Sequence, residues 1–194
     1  MSTLAGDALA VLFRPGEAFA RLSATPRPRL ALATGLILGA LLALFAALLA
    51  QAGQAPTMTR GLPVPAERYY ATATWYLTPL GVALTALTAA TAHAMARLLG
   101  GKGTWPATFT TVGLGYAVPL IACFVLPDIV VWLAAGHAFL GRAMRVYAPV
   151  AVALVIVRCV RALRVTHGLG RPKAIAAALV AGLVQAVPAA WLIR

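Results

Sequence analysis

The chain has 194 residues, of which 62% are hydrophobic and 10% charged; an ordinary water-soluble domain carries about a quarter charged residues, so a soluble globular domain is excluded and the core must face lipid. The formal charge of +12 would suggest nucleic acid in a soluble protein, but in a membrane protein it follows from the bias of Lys and Arg to cytoplasmic loops, and no basic run with interleaved aromatics offers a nucleic-acid surface. The two cysteines are too few for a disulfide framework, and both read as small buried apolar residues.

Residues 1–29 are not a signal peptide, because the first long apolar run, Leu30–Ala50, far exceeds the roughly 7–15 residues of a signal h-region. Within them Leu4, Ala8, Leu9 and Leu12 mark an apolar face, Pro15 restarts the helix, and Ala18, Phe19 and Leu22 continue that face beside Arg14 and Arg21. This predicts an amphipathic helix in the cytoplasmic headgroup layer, a solvated arm being the alternative. In the first span, Leu30–Ala50, Gly35 and Gly39 form a small-xxx-small pair that lets another helix approach, a weak signal in an Ala/Leu/Gly helix. The stretch Gln51–Thr74 is polar and carries Pro56, Pro63 and Pro65; Tyr69, Tyr70, Trp75 and Tyr76 then read as an interfacial aromatic belt.

The second span, Trp75 to Leu98, places Thr85, Thr88 and Thr91 on one side of a helix, able to bond across to a neighbour or back to their own carbonyls. His93 is the ionisable side chain inside this run, one turn before Arg97. It is a functional candidate by position, or else a neutral hydrogen-bonded structural histidine. The central stretch, Leu99–Pro127, opens with the glycine loop Gly100-Gly101-Lys102-Gly103, turns at Thr104-Trp105-Pro106, and runs uncharged to Pro127. Its middle holds Gly113, Gly115, Tyr116 and Pro119. Pro119 cannot donate to the carbonyl of Gly115, four residues back, and in lipid that freed carbonyl must be satisfied by a neighbouring helix, a hydroxyl or water, so this span is expected to lie among the others.

Beyond it, Asp128 reads as the N-cap of a new helix. Ile129–Leu140 is too short to cross a membrane, and the expectation is that it dips into or lies along the outer leaflet while Val146 to about Leu163 crosses. The last span, Ala174–Ile193, carries Ala174, Ala178, Gly182, Ala186 and Ala190 at every fourth position, a stronger packing signal than the Gly35–Gly39 pair. On this five-span layout Arg60, Arg68, Arg142, Arg145 and Arg194 lie outside and the rest of the 16 Lys and Arg lie inside. The bias predicts a cytoplasmic N-terminus and an external C-terminus, with Arg14, Arg21, Arg27, Arg29, Arg158, Arg161 and Arg164 at the inner lipid headgroups.

Catalysis needs paired carboxylates, a nucleophile with a base, or clustered metal ligands. The acidic residues are Asp7, Glu17, Glu67 and Asp128, all outside the predicted spans. His93 and His167 fall inward and His137 outward; a ligand cluster of His93, Cys159 and His167 is the one metal arrangement the layout allows, and none is assigned. The glycine loop lacks the Gly-Lys-Ser/Thr ending of a P-loop. An ion-coupled carrier would show a carboxylate at mid-membrane, and none is present.

Four features in order resemble the Yip family of Ypt/Rab-interacting proteins, in its prokaryotic branch: Phe13-Arg14-Pro15 with Ala18-Phe19, the loop Gly100–Gly103 followed by Trp105, Gly115-Tyr116 with Pro119, and His167-Gly168-Leu169 before Lys173-Ala174. They cover most of the chain. The resemblance implies a polytopic membrane protein; eukaryotic members are associated with Rab GTPases, vesicle traffic and membrane shape. The Asp-Leu-Tyr motif of their N-terminal regions is absent here, which argues against GTPase binding. The expectation is therefore an all-α bundle of about five transmembrane helices, a cytoplasmic segment 1–29 and a Yip-like membrane domain 30–194. It is expected to act without enzymatic chemistry or cofactor at the inner membrane, organising anionic lipids or stabilising a partner membrane protein or a second copy. Gly113, Gly115, Tyr116, Pro119, Thr85, Thr88, His93, Ala178, Gly182 and Ala186 are the candidate packing and functional positions. The alternative is a small-solute or lipid-translocating permease lined by Thr85, Thr88, Tyr116 and the Gly115 carbonyl.

Overall fold

The structure is a computed structural model and describes residues 3–56 and 64–192. The regular structure among these residues is helical: α1 Leu4–Phe13, α2 Pro15–Ala24, α3 Pro28–Gln51, α4 Tyr69–Leu98, α5 Trp105–Leu120, α6 Leu126–Ala135, α7 His137–His167 and α8 Arg171–Leu192. Five stretches are long and apolar enough to cross a membrane: Pro28–Gln51, Ala66–Leu98, Trp105–Ala135, His137–His167 and Arg171–Ala190. Among the described residues this is a five-span α-helical bundle preceded by two short helices. Arg60, Arg194 and the segment 57–63 lie outside the described residues.

Local chemistry sets the breaks. The Thr3 hydroxyl accepts from Gly6 N–H and caps α1, and Pro15, Pro28 and Pro106 occupy the first turns of α2, α3 and α5, where a missing N–H costs nothing. Gly100 (φ 90°), Gly136 (φ 78°) and Gly168 (φ 67°) turn the chain between spans in a conformation that side chains resist.

The spans alternate in direction. Gly35 of α3 lies against Thr85 of α4, and Gly39 against Leu77 and Thr78, so the two run antiparallel. Arg27 N–H donates to Thr110 Oγ1 at 3.0 Å, which sets the start of α3 beside the start of α5. Lys173 Nζ donates to the Leu99 carbonyl at 3.0 Å, and Tyr69 and Tyr76 hydroxyls donate to the Leu192 carbonyl at 3.2 and 2.7 Å, so α8 runs antiparallel to α4. One end of the bundle therefore gathers Arg97, Lys102, Arg161, Arg164, Arg171 and Lys173, and is called the basic end below. The other end carries Arg68, Arg142 and Arg145.

The central helix is α5, buried without interruption from Ala107 to Pro119, as expected for a proline-bearing span that must find partners for its backbone. The disruption falls later than the Gly115–Pro119 pair suggests. Ile121–Val125 forms a π-helical segment in which Leu126 N–H reaches back five residues to the Ile121 carbonyl. With no N–H on Pro127, the wider register carries a second proline through the helix without a break.

That continuity corrects the reading of Ile129–Leu140. Ile129–Ala135 is the end of the third span, not a separate surface segment, and His137–Leu140 opens the fourth, which runs His137–His167 rather than starting at Val146. Asp128 is no N-cap: its buried carboxylate accepts from the Tyr147 hydroxyl of α7. The aromatic belt is also narrower than expected, since Tyr69 and Tyr70 are buried and Trp75, 85% exposed, is the outward-facing member.

The tightest helix crossing is α3 on α4. A Cβ on Gly39 would stand 2.6 Å from the Leu77 carbonyl, and one on Gly81 would stand 2.5 Å from Gly39 N. The two backbones touch here because neither residue carries a side chain. The small-residue ridge of α8 behaves differently: Ala174 and Ala178 are buried, but a Cβ at Gly182 would meet nothing within 4 Å and Ala186 is exposed. The glycine pair, and not the longer stripe, marks the close packing.

Candidate functional site

Three features gather the polar and unusual residues. The first is at the basic end, where the glycine loop wraps the end of α7. Gly103 N–H donates to His167 Nδ1 at 3.1 Å, and Lys102 N–H donates to the His167 carbonyl at 3.2 Å. A Cβ at Gly101 would lie 2.7 Å from His167 Nδ1, and one at Gly103 would lie 2.6 Å from the Thr166 carbonyl. The loop is glycine-rich because an imidazole is packed into it.

Thr108 joins this histidine to His93. Its hydroxyl donates to the Thr104 carbonyl at 2.9 Å and lies 2.7 Å from His167 Nε2 and 3.0 Å from His93 Nδ1. Having spent its proton on Thr104, the hydroxyl can only accept from both rings. The pattern assigns the proton to Nε2 of neutral His167, whose Nδ1 accepts from Gly103, and gives His93 a proton at Nδ1. The His93 ring also packs edge-on to Trp105, at 5.7 Å between centroids. Every polar atom of Thr108 is satisfied, which makes this a structural clasp. The sequence suggests Cys159 as a third member; instead it lies two helical turns earlier on α7, roughly 12 Å along the axis, beside Tyr116. No group of three or more metal-ligating side chains forms among the described residues.

The second feature is the seat of α1 and α2. Ala18, Phe19 and Leu22 are buried, and α2 packs against α5 and α7, so this face points at the bundle and not at lipid as the sequence pattern suggests. Arg158 Nη2 donates to the Leu12 carbonyl at 2.6 Å, and the Arg161 guanidinium lies over Gly16, 3.5 Å from where its Cβ would be. The carboxylate of Asp7, fully buried, is paired with Arg21 at 2.5 Å and Arg27 at 3.3 Å, tying α1 to α2 and to the entry of α3. Leu9 and Phe13 point away from the bundle, Phe13 being 78% exposed. Of the seven arginines expected at headgroups, Arg21, Arg27, Arg158 and Arg161 thus hold this seat, while Arg14, Arg29 and Arg164 are exposed. Sequence periodicity missed Asp7 as the anchor, since an acidic residue on an apolar helix reads as solvent-facing.

The third is a cavity of about 440 Å³ between α8 and the α3, α4, α5 and α7 helices, walled by residues such as Leu38, Leu84, Phe124, Gly182 and Ala186. Tyr116 and Gln185 are the polar side chains among its lining residues. The route imagined from the sequence is not assembled. Thr85 and Thr88 donate to the Gly81 and Leu84 carbonyls of their own helix, each at 2.8 Å, and Gly115 faces Phe19 and Arg158. Of the four residues of that route, only Tyr116 reaches the cavity. Gly113 is part of the packing, since a Cβ there would lie 2.8 Å from the Ala31 Cβ.

No curated protein and no solved structure matches the chain. The family model of the Yip1 domain matches residues 9–193, a range that takes in α2, all five spans and the clasp at the basic end. The chain is therefore a multi-pass membrane protein and belongs to the Yip1 domain family.

Proposed function

We propose that this protein is a non-enzymatic component of the inner membrane that organises the lipids of the cytoplasmic leaflet, with its basic end cytoplasmic and its C-terminus external. The observation that carries this reading is the seat of α1–α2. The pair is held against one side of the bundle by buried Phe19 and Leu22, by Arg158 and by the Asp7 ion pairs, while Leu9 and Phe13 face outward. A helix pair fixed at the level of Arg158, with an apolar outer face and Arg14, Arg21 and Arg29 exposed around it, suits the boundary between headgroups and acyl chains. It takes up area in one leaflet only. Each basic residue near an anionic surface adds about 1 kcal/mol of attraction, which favours anionic lipids as partners and fits the excess of Lys and Arg at this end.

The test is reconstitution of the full chain into anionic vesicles, with vesicle size measured by electron cryo-microscopy. The wild type should give smaller or more elongated vesicles than a Leu9→Ser/Phe13→Ser variant incorporated at equal density and orientation. Indistinguishable size distributions would refute the reading.

A further inference from the structure

Tyr116 is 2% exposed, lines the apolar cavity, and its hydroxyl makes no hydrogen bond among the described residues. A Tyr hydroxyl on an apolar cavity wall usually finds a partner, and here the cavity is where one can enter. The level of this hydroxyl in the bundle is informative. Its neighbour Gly115 faces Phe19 of α2 and Arg158 of α7, so Tyr116 stands at the depth of the α1–α2 seat. From there the cavity runs along α8 from Leu179 to Ala190, about 16 Å at 1.5 Å per residue. That is close to half the roughly 30 Å thickness of a bilayer's hydrocarbon core. The wall is open sideways, because Gly182 has no side chain and Leu183 beside it is 69% exposed.

From these observations we infer that the cavity is a lipid site: one acyl chain of a cytoplasmic-leaflet glycerolipid lies along α8, and the Tyr116 hydroxyl donates to its ester carbonyl. Each part of the ligand matches something present. The apolar wall takes a chain, the length fits one leaflet, and the donor stands where the ester of a lipid enters the hydrocarbon. The gap at Gly182 gives lateral entry. The stripe Gly182, Ala186 and Ala190 is then small in order to leave room for a chain, not to receive a helix. The inference rests on the depth assigned to α1–α2 above, but concerns a different face of the bundle.

The test is native mass spectrometry of the full chain, stripped of lipid in detergent and titrated with phosphatidylglycerol, beside Tyr116→Phe and Gly182→Phe. The wild type should hold one lipid more tightly than any others. Tyr116→Phe, which deletes only the hydroxyl, should weaken that lipid roughly two- to tenfold. Gly182→Phe, entering open space, should abolish it while leaving the thermal transition unchanged or raised. Equal retention by wild type and Tyr116→Phe, no lipid held by the wild type, or a dimer that Gly182→Phe dissolves would each overturn the site, the last by assigning the cavity to a second copy. Vesicle remodelling through Leu9 and Phe13 would be untouched by either cavity variant, so failure of one reading is separable from failure of the other.

Discussion

Gly103 N–H donates to Nδ1 of His167 at 3.1 Å across 64 residues of chain, joining the loop between the second and third spans to the end of the fourth. The bond needs an acceptor at Nδ1, and Thr108 needs a donor at Nε2. His167→Leu removes both and leaves the Gly103 N–H and the Thr108 hydroxyl under-satisfied. A loss of about 1–3 kcal/mol follows, or a fall of roughly 2–4 °C in thermal midpoint per kcal/mol for a chain of this size. His167→Asn, whose Oδ1 can replace Nδ1, should lose less. A thermal scan of the three proteins in one detergent checks this; equal midpoints for Leu and Asn would show that packing, and not the acceptor, matters.

The contrast between two glycines gives a second prediction. Gly81→Ala places a Cβ 2.5 Å from Gly39 N, whereas Gly182→Ala meets nothing within 4 Å. The α3–α4 crossing is backbone against backbone and cannot yield by turning a side chain, so Gly81→Ala should cost about 1–3 kcal/mol. Gly182→Ala should be neutral or slightly stabilising. Thermal scans again decide, and a silent Gly81→Ala would mean that the two helices separate at little cost.

Gly115 is intermediate. A Cβ there would lie 3.5 Å from Phe19 and from Arg158, ordinary contact distances, so Gly115→Ala should be tolerated. Gly115→Leu would push against the Phe19 ring and loosen α2 from α5 and α7. Limited trypsin digestion of reconstituted protein should then cut faster after Arg21, which Leu22 follows, in the Leu variant than in the Ala variant. Equal rates in both would show that α2 is not held by this contact.

The number of spans could be read from sequence because long apolar runs have no place in water, but the limits of the third and fourth could not. What escaped was anything settled by long-range packing. Pro127-Asp128 has the composition of a helix start, and only the π-helical segment Ile121–Val125, invisible in residue pattern, turns it into the interior of one long helix. The regular stripe on α8 looked stronger than the single Gly35–Gly39 pair, but spacing reports that a helix can be approached, not that another helix does so. The glycine loop was legible as a tight turn, yet its reason, the His167 ring inside it, lies 64 residues away. Tyr116 was legible as a central residue; the cavity it faces is a property of five helices together.

As proposed above, α1–α2 sits in one leaflet and displaces lipid there. The most direct measurement is the depth of position 13 in the reconstituted full chain, by electron paramagnetic resonance of a nitroxide on Phe13→Cys in a Cys123→Ala/Cys159→Ala background. Burial in the acyl region predicts a label relaxed strongly by dissolved oxygen and weakly by a water-soluble nickel chelate, with the balance shifting toward nickel when Asp7→Asn weakens the pairing to Arg21 and Arg27. A label at position 13 relaxed mainly by nickel, with Asp7 intact, would place α1 in water and rule out its burial in the leaflet.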